Sequence, residues 1–572
     1  MKHRGLKRLS SRARVTALLQ RAGLKEPIGE LARFFSDPAE RERWRVIRQD
    51  FHACKEEFRR ITHNAPAGDP RKLAWIISTL PTVWGLKMEG LLSLALRLNN
   101  YFPVALQLSH NRWGQRYLKL FDIKQFVNFQ KFFTSQPPRD SESDILEFVH
   151  GRPTVTDLLD LTYRKVDIGR VALSNVLNRH KFIKFDLAQP DTLAEVYVEL
   201  VRAARNVYAA EQLVARHRPV MALLLEKGLS PMAEIFGVCV AQGIPVVQYV
   251  GSQSMNHFIF KRFTLENRQQ HPFSLDPHTW EWVKNMSWSP ALASKLTQDF
   301  EDGYKNGSWF SRKFLHRNKQ IKSAETVRQQ LGLDPSKKTA VIFSHVLWDA
   351  TFFYGKGLFD DYETWLLETV RAACENPRVN WIVKLHPDLI WKLIHEGYTG
   401  ELRDIIAIRG SLGDLPGHVK LVLPDTDINT YSFFNVADCC LTVRGTIGIE
   451  MACYGVPVLT AGTGRYSGMG FTVDSVSKEE FLQRLAHIET TPSMSPEQIG
   501  LAQRFAYALF KLRPWRMESF EWVKMPIEKT GHPLSDNLVP RVDDFAQFSE
   551  ASDVRELAEW LDSSKVDYCH PC

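Results

Sequence analysis

The sequence lacks any uninterrupted apolar run of about 18 residues, the length that crosses a bilayer as a helix, so no transmembrane helix is expected. It also lacks the continuous apolar stretch of a secretory signal: Leu6, Leu9, Val15, Leu18 and Leu19 are interleaved with basic residues. There is no dense cysteine framework. The eight cysteines (Cys54, Cys239, Cys374, Cys439, Cys440, Cys453, Cys569 and Cys572) are scattered, several within apolar runs where a thiol acts as a small hydrophobe. A disulfide scaffold is thereby excluded and a reducing, cytoplasmic compartment expected. No second pair accompanies Cys569-His570-Pro571-Cys572, so this Cys-x-x-Cys reads as an incidental end of the chain before a metal or redox site. Zinc-finger spacing, RNA-binding signatures, internal repeats and low-complexity runs are all missing, and nucleic acid is not expected as a partner.

What is present is 572 residues, 44% hydrophobic and 24% charged, an ordinary soluble composition. That length exceeds one core and predicts two main domains with extensions. The 34 Phe and 15 Trp allow large cores and aromatic pocket walls. With 73 basic and 65 acidic residues the net charge is +8, a mild excess that suits anionic substrates or an anionic membrane surface. The stretch from Lys2 to Arg21 carries no acid, and three readings stand open for it: a segment on the inner membrane face, a solvated basic tail, or a transit peptide.

Along the chain, residues 1–65 read as a basic helical extension, closed by the breaker cluster Asn64-Ala-Pro-Ala-Gly-Asp-Pro70. Residues 66–265 alternate strands and helices, clearest at Leu73–Ile77, Met88–Asn99, Phe102–Leu108, Val220–Leu225, Met232–Gln242 and Ile244–Val250. A less regular connector spans 266–335. A second alternating unit spans 336–490, with strands at Thr339–Phe343, Trp381–Leu385, His418–Leu423, Asp438–Val443 and Val456–Thr460. Residues 491–572 read as helical and then polar. Two such α/β units suit a ligand held in a cleft at the carboxyl ends of their strands.

The strongest local signal is Val443-Arg-Gly-Thr-Ile-Gly-Ile-Glu450-Met-Ala-Cys-Tyr-Gly-Val-Pro457-Val-Leu, a strand running through a glycine turn into a helix. Open N–H groups and the helix dipole favour a phosphate at such a helix start. Gly445 and Gly448 permit close backbone approach, Arg444 and the Thr446 hydroxyl add charge and a hydrogen bond, and Glu450 is placed to accept from ribose hydroxyls. The bland alternative gives the glycines to the turn and Glu450 to the helix dipole.

Gly448 to Leu459 resembles the donor-nucleotide segment of GT-B glycosyltransferases, a pattern shared in related form by non-hydrolysing sugar-nucleotide epimerases. Three further segments narrow it: Phe343-Ser-His-Val-Leu-Trp-Asp-Ala-Thr351 with Leu358–Trp365, Val383-Lys-Leu-His-Pro387, and Thr460–Tyr466 with Gly470–Thr472. Together they resemble the capsule polysaccharide synthesis family, which includes Kdo transferases, densely over 340–475 and thinly over 70–265. The resemblance implies an α/β GT-B-like fold of two Rossmann-like domains facing a cleft, the first binding a glycan or lipid-linked acceptor and the second a CMP- or UDP-sugar. No cofactor or metal is implied. A sugar-nucleotide epimerase or hydrolase on the same fold, and a non-catalytic component of a capsule assembly and export complex, are the rival readings.

His386 follows a strand and faces the expected cleft, where a histidine can donate to or protonate a departing phosphate; the family comparison gives His-Pro motifs this role. Lys384 could share that side. Ser344 and His345 end the first strand of the same unit, as substrate contacts or as packing. Asp349 binds sugar hydroxyls or caps a helix. Gly462, Thr463 and Arg465 follow a strand and can approach phosphate or sugar, or form a flexible turn. Asp425-Thr-Asp427 reads as helix capping before metal binding. For the catalytic base, Glu226 in Glu226-Lys-Gly228 is the best-placed carboxylate; it loosely resembles the acidic-acidic-glycine motif of bacterial sialyltransferases, with Lys227 in place of the second acid. Lys87 and Glu89 are outside candidates for acceptor contact.

Overall fold

A computed structural model describes residues 34–78, 82–108, 111–133, 139–308, 319–523 and 536–570. The basic segment Lys2–Arg21 and the partner cysteine Cys572 lie outside the described residues, and with them the readings placed there. No helix among the described residues is long and apolar enough to cross a membrane.

Two sheets organise the chain. The first has seven strands: β1 (Asp69–Ser78), β2 (Tyr101–Gln107), β3 (Phe126–Asn128), β4 (Met221–Leu224), β5 (Val246–Gly251), β6 (His257–Phe263) and, from far along the chain, β13 (Pro514–Arg516), in the order β13-β6-β5-β4-β1-β2-β3. The second has six: β7 (Thr339–Phe343), β8 (Asn380–Lys384), β9 (Val419–Val422), β10 (Cys439–Thr442), β11 (Val458–Thr460) and β12 (Val473–Asp474), in the order β12-β11-β10-β7-β8-β9. All neighbours pair in parallel except β5 with β6 and β6 with β13.

The strands are near-continuous apolar runs because helices cover both faces, as parallel sheets require. Ala74, Trp75, Ile76 and Ile77 of β1 are fully buried. Helices Val83–Leu98 and Met232–Ala241 cross over β1 to β2 and β4 to β5; Tyr362–Glu375 and Thr446–Cys453 do the same from β7 to β8 and β10 to β11. Each sheet therefore reverses direction once, between β1 and β4 in the first and between β7 and β10 in the second. Crevices open at the carboxyl ends of strands at such reversals, which is where doubly wound sheets hold ligands. This is the expected α/β arrangement of two Rossmann-like units.

The terminal segments are layers of these units. Connector residues Phe273, Leu296, Phe300 and Tyr304 join the core of the second sheet. Helix Pro496–Tyr507 packs there too, through Ala502 and Phe505. The chain then returns to the first unit as β13, followed by the hairpin β14 (Phe520–Val523) and β15 (Asn537–Pro540) and helix Ser552–Asp562. Phe520, Leu538 and Leu557 share one apolar cluster with Phe58 and Ile61 of helix Pro38–Thr62 and Leu91 of helix Val83–Leu98.

The return crossing is fixed by charge. Asp567, Lys261 and Arg513 are each fully buried; Asp567 Oδ1 lies 2.9 Å from Lys261 Nζ and 3.1 Å from an Arg513 guanidinium nitrogen. The other carboxylate oxygen accepts from the Asp276 backbone N–H at 2.7 Å. Arg513 also donates to the carbonyls of Pro272 (2.7 Å), Ser274 and Phe260 (both 3.1 Å). Burial raises the affinity of Asp567 for a proton, but Arg513 and Lys261 outweigh it and hold the carboxyl below its ordinary range. Removing one member leaves a buried uncompensated charge, so Asp567→Asn is expected to lower stability by about 3–5 kcal/mol. Urea denaturation measures this; a variant within about 1 kcal/mol of the wild type would refute the assignment.

Candidate functional site

The reversal points of the two sheets face each other across a cleft of about 790 Å³. Its walls bring together Glu226 from the end of β4, Ser344, His345 and Asp349 after β7, Lys384 and His386 at and after β8, Arg444 to Thr446 after β10, Glu450, and Arg465. Of the residues singled out in the sequence, Gly448, Gly462, Thr463, Asp425, Asp427, Lys87 and Glu89 do not line it.

The helix start after β10 is open. Gly445 is its N-cap and supplies no side-chain cap, while Gly445, Thr446 and Ile447 all line the cleft. Arg444 is 4% exposed, packs against the Tyr362 ring at 5.7 Å, and its Nε and Nη1 have no protein partner. A buried guanidinium with unmade hydrogen bonds costs free energy that an anion in the cleft would offset. Arg465 lies over Phe273 at 5.3 Å with Nε also unpartnered. Glu450 is 1% exposed, and its carboxylate accepts from the Tyr304 hydroxyl at 2.6 Å.

The histidines are held in defined states. His386 Nδ1 accepts from the Asp388 backbone N–H at 3.1 Å, which in the neutral ring places the proton on Nε2. Ser344 Oγ accepts from the His386 backbone N–H at 3.0 Å and so fixes this loop to the end of β7. His345 Nε2 accepts from the Val443 N–H at 3.2 Å, and its ring stacks on Tyr362 at 4.4 Å. Burial, then the nearby His386, Arg444 and Arg465, push its pKa well below the ordinary histidine range, so it is neutral. Lys384 is also buried; it donates to the Leu385 carbonyl at 2.8 Å, and burial depresses its pKa strongly.

On the opposite wall, Glu226 Oε1 accepts from the backbone N–H groups of Lys227 (2.7 Å) and Gly228 (2.8 Å). Burial raises its pKa, and those two bonds only partly offset the rise. Lys227 turns away from the cleft: its ammonium donates to the carbonyls of Arg268 and Gln270 and sits 3.8 Å from the centre of the Phe263 ring. An acid in place of Lys227 could not make these donations.

Several expectations are corrected. Gly448 is a packing glycine: an added Cβ would lie 2.1 Å from the Tyr466 hydroxyl, which itself donates to the Gly445 carbonyl at 2.8 Å. At Gly462 a Cβ would meet the Lys356 carbonyl at 2.6 Å, and Thr463 Oγ1 accepts from the Lys356 N–H at 2.7 Å, so both fasten the loop around 356. Asp349 caps nothing and pairs with Lys392 at 3.1 Å on the cleft rim. Asp427 pairs with Lys322 and accepts from Gln330 at 3.0 Å, while the cap of the following turn is Asn429. Lys87 is consumed by Asn537 (2.6 Å) and Asp50 (3.3 Å), and Glu89 accepts from Ser78 at 2.7 Å; neither lines the cleft.

The structure adds residues that sequence reading passed over: Tyr304, His271, Tyr354 and Trp522 all line the cleft. His271-Pro272 repeats the His-Pro dipeptide of His386-Pro387, a signal present in the sequence. Tyr304 and Trp522 had none, since they arrive from the connector and from the terminal hairpin. Gly448→Ala is expected to lose about 1–3 kcal/mol by overpacking against Tyr466. Thermal and urea unfolding test this, with Tyr466→Phe in the same chain restoring part of the loss; an unchanged Gly448→Ala stability would return the glycine to ligand approach.

Residues 299–499 match the family of capsule polysaccharide biosynthesis proteins. No curated protein matches the chain. Among solved structures, the β-Kdo 2,4 transferase of Thermosulfurimonas dismutans KpsC is 14% identical, covering 55% of this chain and 84% of its own, with a TM-score of 0.31. The β-Kdo 2,7 transferase of the same protein is 14% identical over 56% and 88%, with a TM-score of 0.29. UDP-GlcNAc 2-epimerase from Neisseria meningitidis is 12% identical over 76% and 97%, with a TM-score of 0.25. Identities and scores this low leave the fold to be argued from the two sheets themselves. Residues 299–499, the segment that builds the cationic wall of the cleft, are thus similar to the capsule polysaccharide biosynthesis proteins.

Proposed function

We propose that this protein is a metal-independent glycosyltransferase of surface polysaccharide synthesis, moving a sugar from a CMP- or UDP-activated donor to a glycan or lipid-linked acceptor. The observation that carries the reading is the Arg444 guanidinium, buried with two nitrogens unpartnered beside an uncapped helix start, and facing a carboxylate on the other wall. Open N–H groups and a desolvated cation suit a nucleoside phosphate.

In this mechanism the donor phosphate lies against the Thr446 helix start and Arg444, with Glu450 oriented by Tyr304 toward the ribose. The acceptor hydroxyl approaches from the Glu226 side. Its oxygen forms the new bond to the anomeric carbon as the carbon–phosphate-oxygen bond breaks. The hydroxyl proton passes to Glu226, and His386 Nε2–H donates to the departing phosphate. Arg444 and Arg465 offset the negative charge that develops there, without a metal.

Calorimetric titration of the full chain with CMP, UDP and GDP is expected to show binding of one nucleotide, weakened about 10- to 150-fold by Arg444→Ala, the value of a charged hydrogen bond. Glu450→Ala should weaken it in the same direction. A folded protein that binds none of the three would sink the transferase reading, and turnover of donor with no acceptor present would move it to an epimerase or hydrolase.

Glu226 must be ionised to accept the proton, and its pKa is raised. The acid limb of the rate profile therefore lies above the ordinary carboxylate range, with rate rising as pH increases through it. Glu226→Gln should lower kcat about 100- to 10,000-fold and abolish that limb. Retention of the limb in the variant would assign the base elsewhere.

A further inference from the structure

A second cavity, of about 1590 Å³, lies in the first unit and shares no lining residue with the cleft. Helix Pro38–Thr62 forms one wall; helix Arg112–Leu118 and the turn Lys119–Phe121 form another. The two walls carry matching cationic stripes. Arg41, Arg45 and Arg48 recur at helical spacing on the first, and Arg112, Arg116 and Lys119 at the same spacing on the second. Asp122 is the one acid among the described lining residues, and its carboxylate is already met by Arg97 and Lys124, at 3.3 and 3.4 Å.

Like charges on two walls of one cavity repel, and a concave surface of one sign concentrates their field. Glu42 pairs with Arg45, but Arg48 and Arg116 have no carboxylate partner among the described residues. Arg116 lies instead over the Trp113 ring at 4.8 Å. Phe51 of the first wall meets Trp113 of the second at 5.9 Å, and Trp44 meets Phe34 at 4.9 Å; all four rings line the cavity. Trp113 is buried and the other three are half-buried, so they do not project as the rings of a bilayer anchor do.

We propose that this cavity binds an acidic polysaccharide chain, a glycan bearing carboxylates, apart from the site of chemistry. Arginine forks match planar carboxylates, and the rings between them offer apolar area to the faces of sugar rings. The first wall packs through Phe58 on Phe520 of the terminal hairpin (6.1 Å), and Trp522 of that hairpin lines the cleft. Cavity and cleft therefore share a structural element. That the ligand is a glycan rests on the polysaccharide-synthesis reading of the chain; that it is an anion rests on the cavity alone.

Calorimetric titration of the full-length protein with a hexamer of α-1,4-linked galacturonic acid tests this, beside maltohexaose as a neutral chain of the same length, inorganic tripolyphosphate, and phosphatidylglycerol vesicles. The acidic hexamer is expected to bind, less tightly as salt rises, and maltohexaose at least about tenfold more weakly. Arg48→Ala with Arg116→Ala should weaken the hexamer about tenfold, the value of two exposed charge pairs, while nucleotide affinity stays within about twofold. Both side chains are exposed, so the fold is kept. Arg45→Ala with Lys119→Ala reads the same two walls independently. No hexamer binding, or binding indifferent to both pairs of substitutions, would overturn the site. So would displacement of the hexamer by nucleotide, tighter binding of tripolyphosphate, or capture of the protein by vesicles through the same arginines. Hexamer binding lost in the variants, in a chain that binds no nucleotide, would keep this site and sink the transferase reading. Nucleotide binding alone would do the opposite.

Discussion

The buried carboxylate of Asp567 is the constraint on which the cleft depends. Two parallel sheets become one site only if their reversal points are held face to face, and the chain crosses between them twice. Both crossings meet here: the outgoing one through the Asp276 N–H, which donates to the carboxylate, and through the carbonyls of Pro272 and Ser274, which accept from Arg513; the returning one through Arg513 itself. Lys261 ties the group to β6 of the first sheet. An isolated buried ion is costly, so the triad holds only while all three members and their backbone partners are in place. That all-or-none character suits a joint that must fix the distance between Glu226 and Arg444.

Within the cleft, the chemistry follows from which groups are given partners and which are not. Ser344, Tyr304, Lys227 and Tyr466 are spent on holding other residues: the His386 loop, Glu450, the connector carbonyls and the Gly445 carbonyl. Around them the uncapped helix start and two Arg444 nitrogens are left open. His345 is kept neutral among these cations by burial, which spares the site a further buried charge.

Much of this was legible in the sequence because period and composition speak through local rules. The apolar strand runs, the glycine turn before Thr446 and the His-Pro step after β8 are all short-range signals, and they located Arg444, Thr446, Glu450, His386 and Glu226 on the cleft. What failed needed contacts distant in the chain. Gly448 looks like a phosphate-approach glycine until Tyr466 is seen beneath it, and Asp427 looks like a cap until Lys322 arrives from the connector. The terminal segments read as extensions, and only the shared cluster of Phe58, Phe520 and Leu557 shows helix Pro38–Thr62, the terminal hairpin and helix Ser552–Asp562 to be layers of the first unit. Trp522 belongs to this class: no local pattern announces that a hairpin near residue 520 closes a cleft opened near residue 226.

The motif around Thr446 is therefore best understood by what it withholds. A serine or aspartate at the N-cap would satisfy the first N–H groups of the helix and favour the folded chain by about 1 kcal/mol. Gly445 forgoes that. A carboxylate beside Arg444 would satisfy its guanidinium, and none among the described residues bonds to it. Each unmet buried donor costs about 1–3 kcal/mol in the empty protein. The rest of the fold, through the Asp567 joint and the two apolar cores, holds that arrangement against its tendency to relax. An anion entering the cleft then gains the full difference, and it gains most where its charge is greatest, at the leaving phosphate of the transition state.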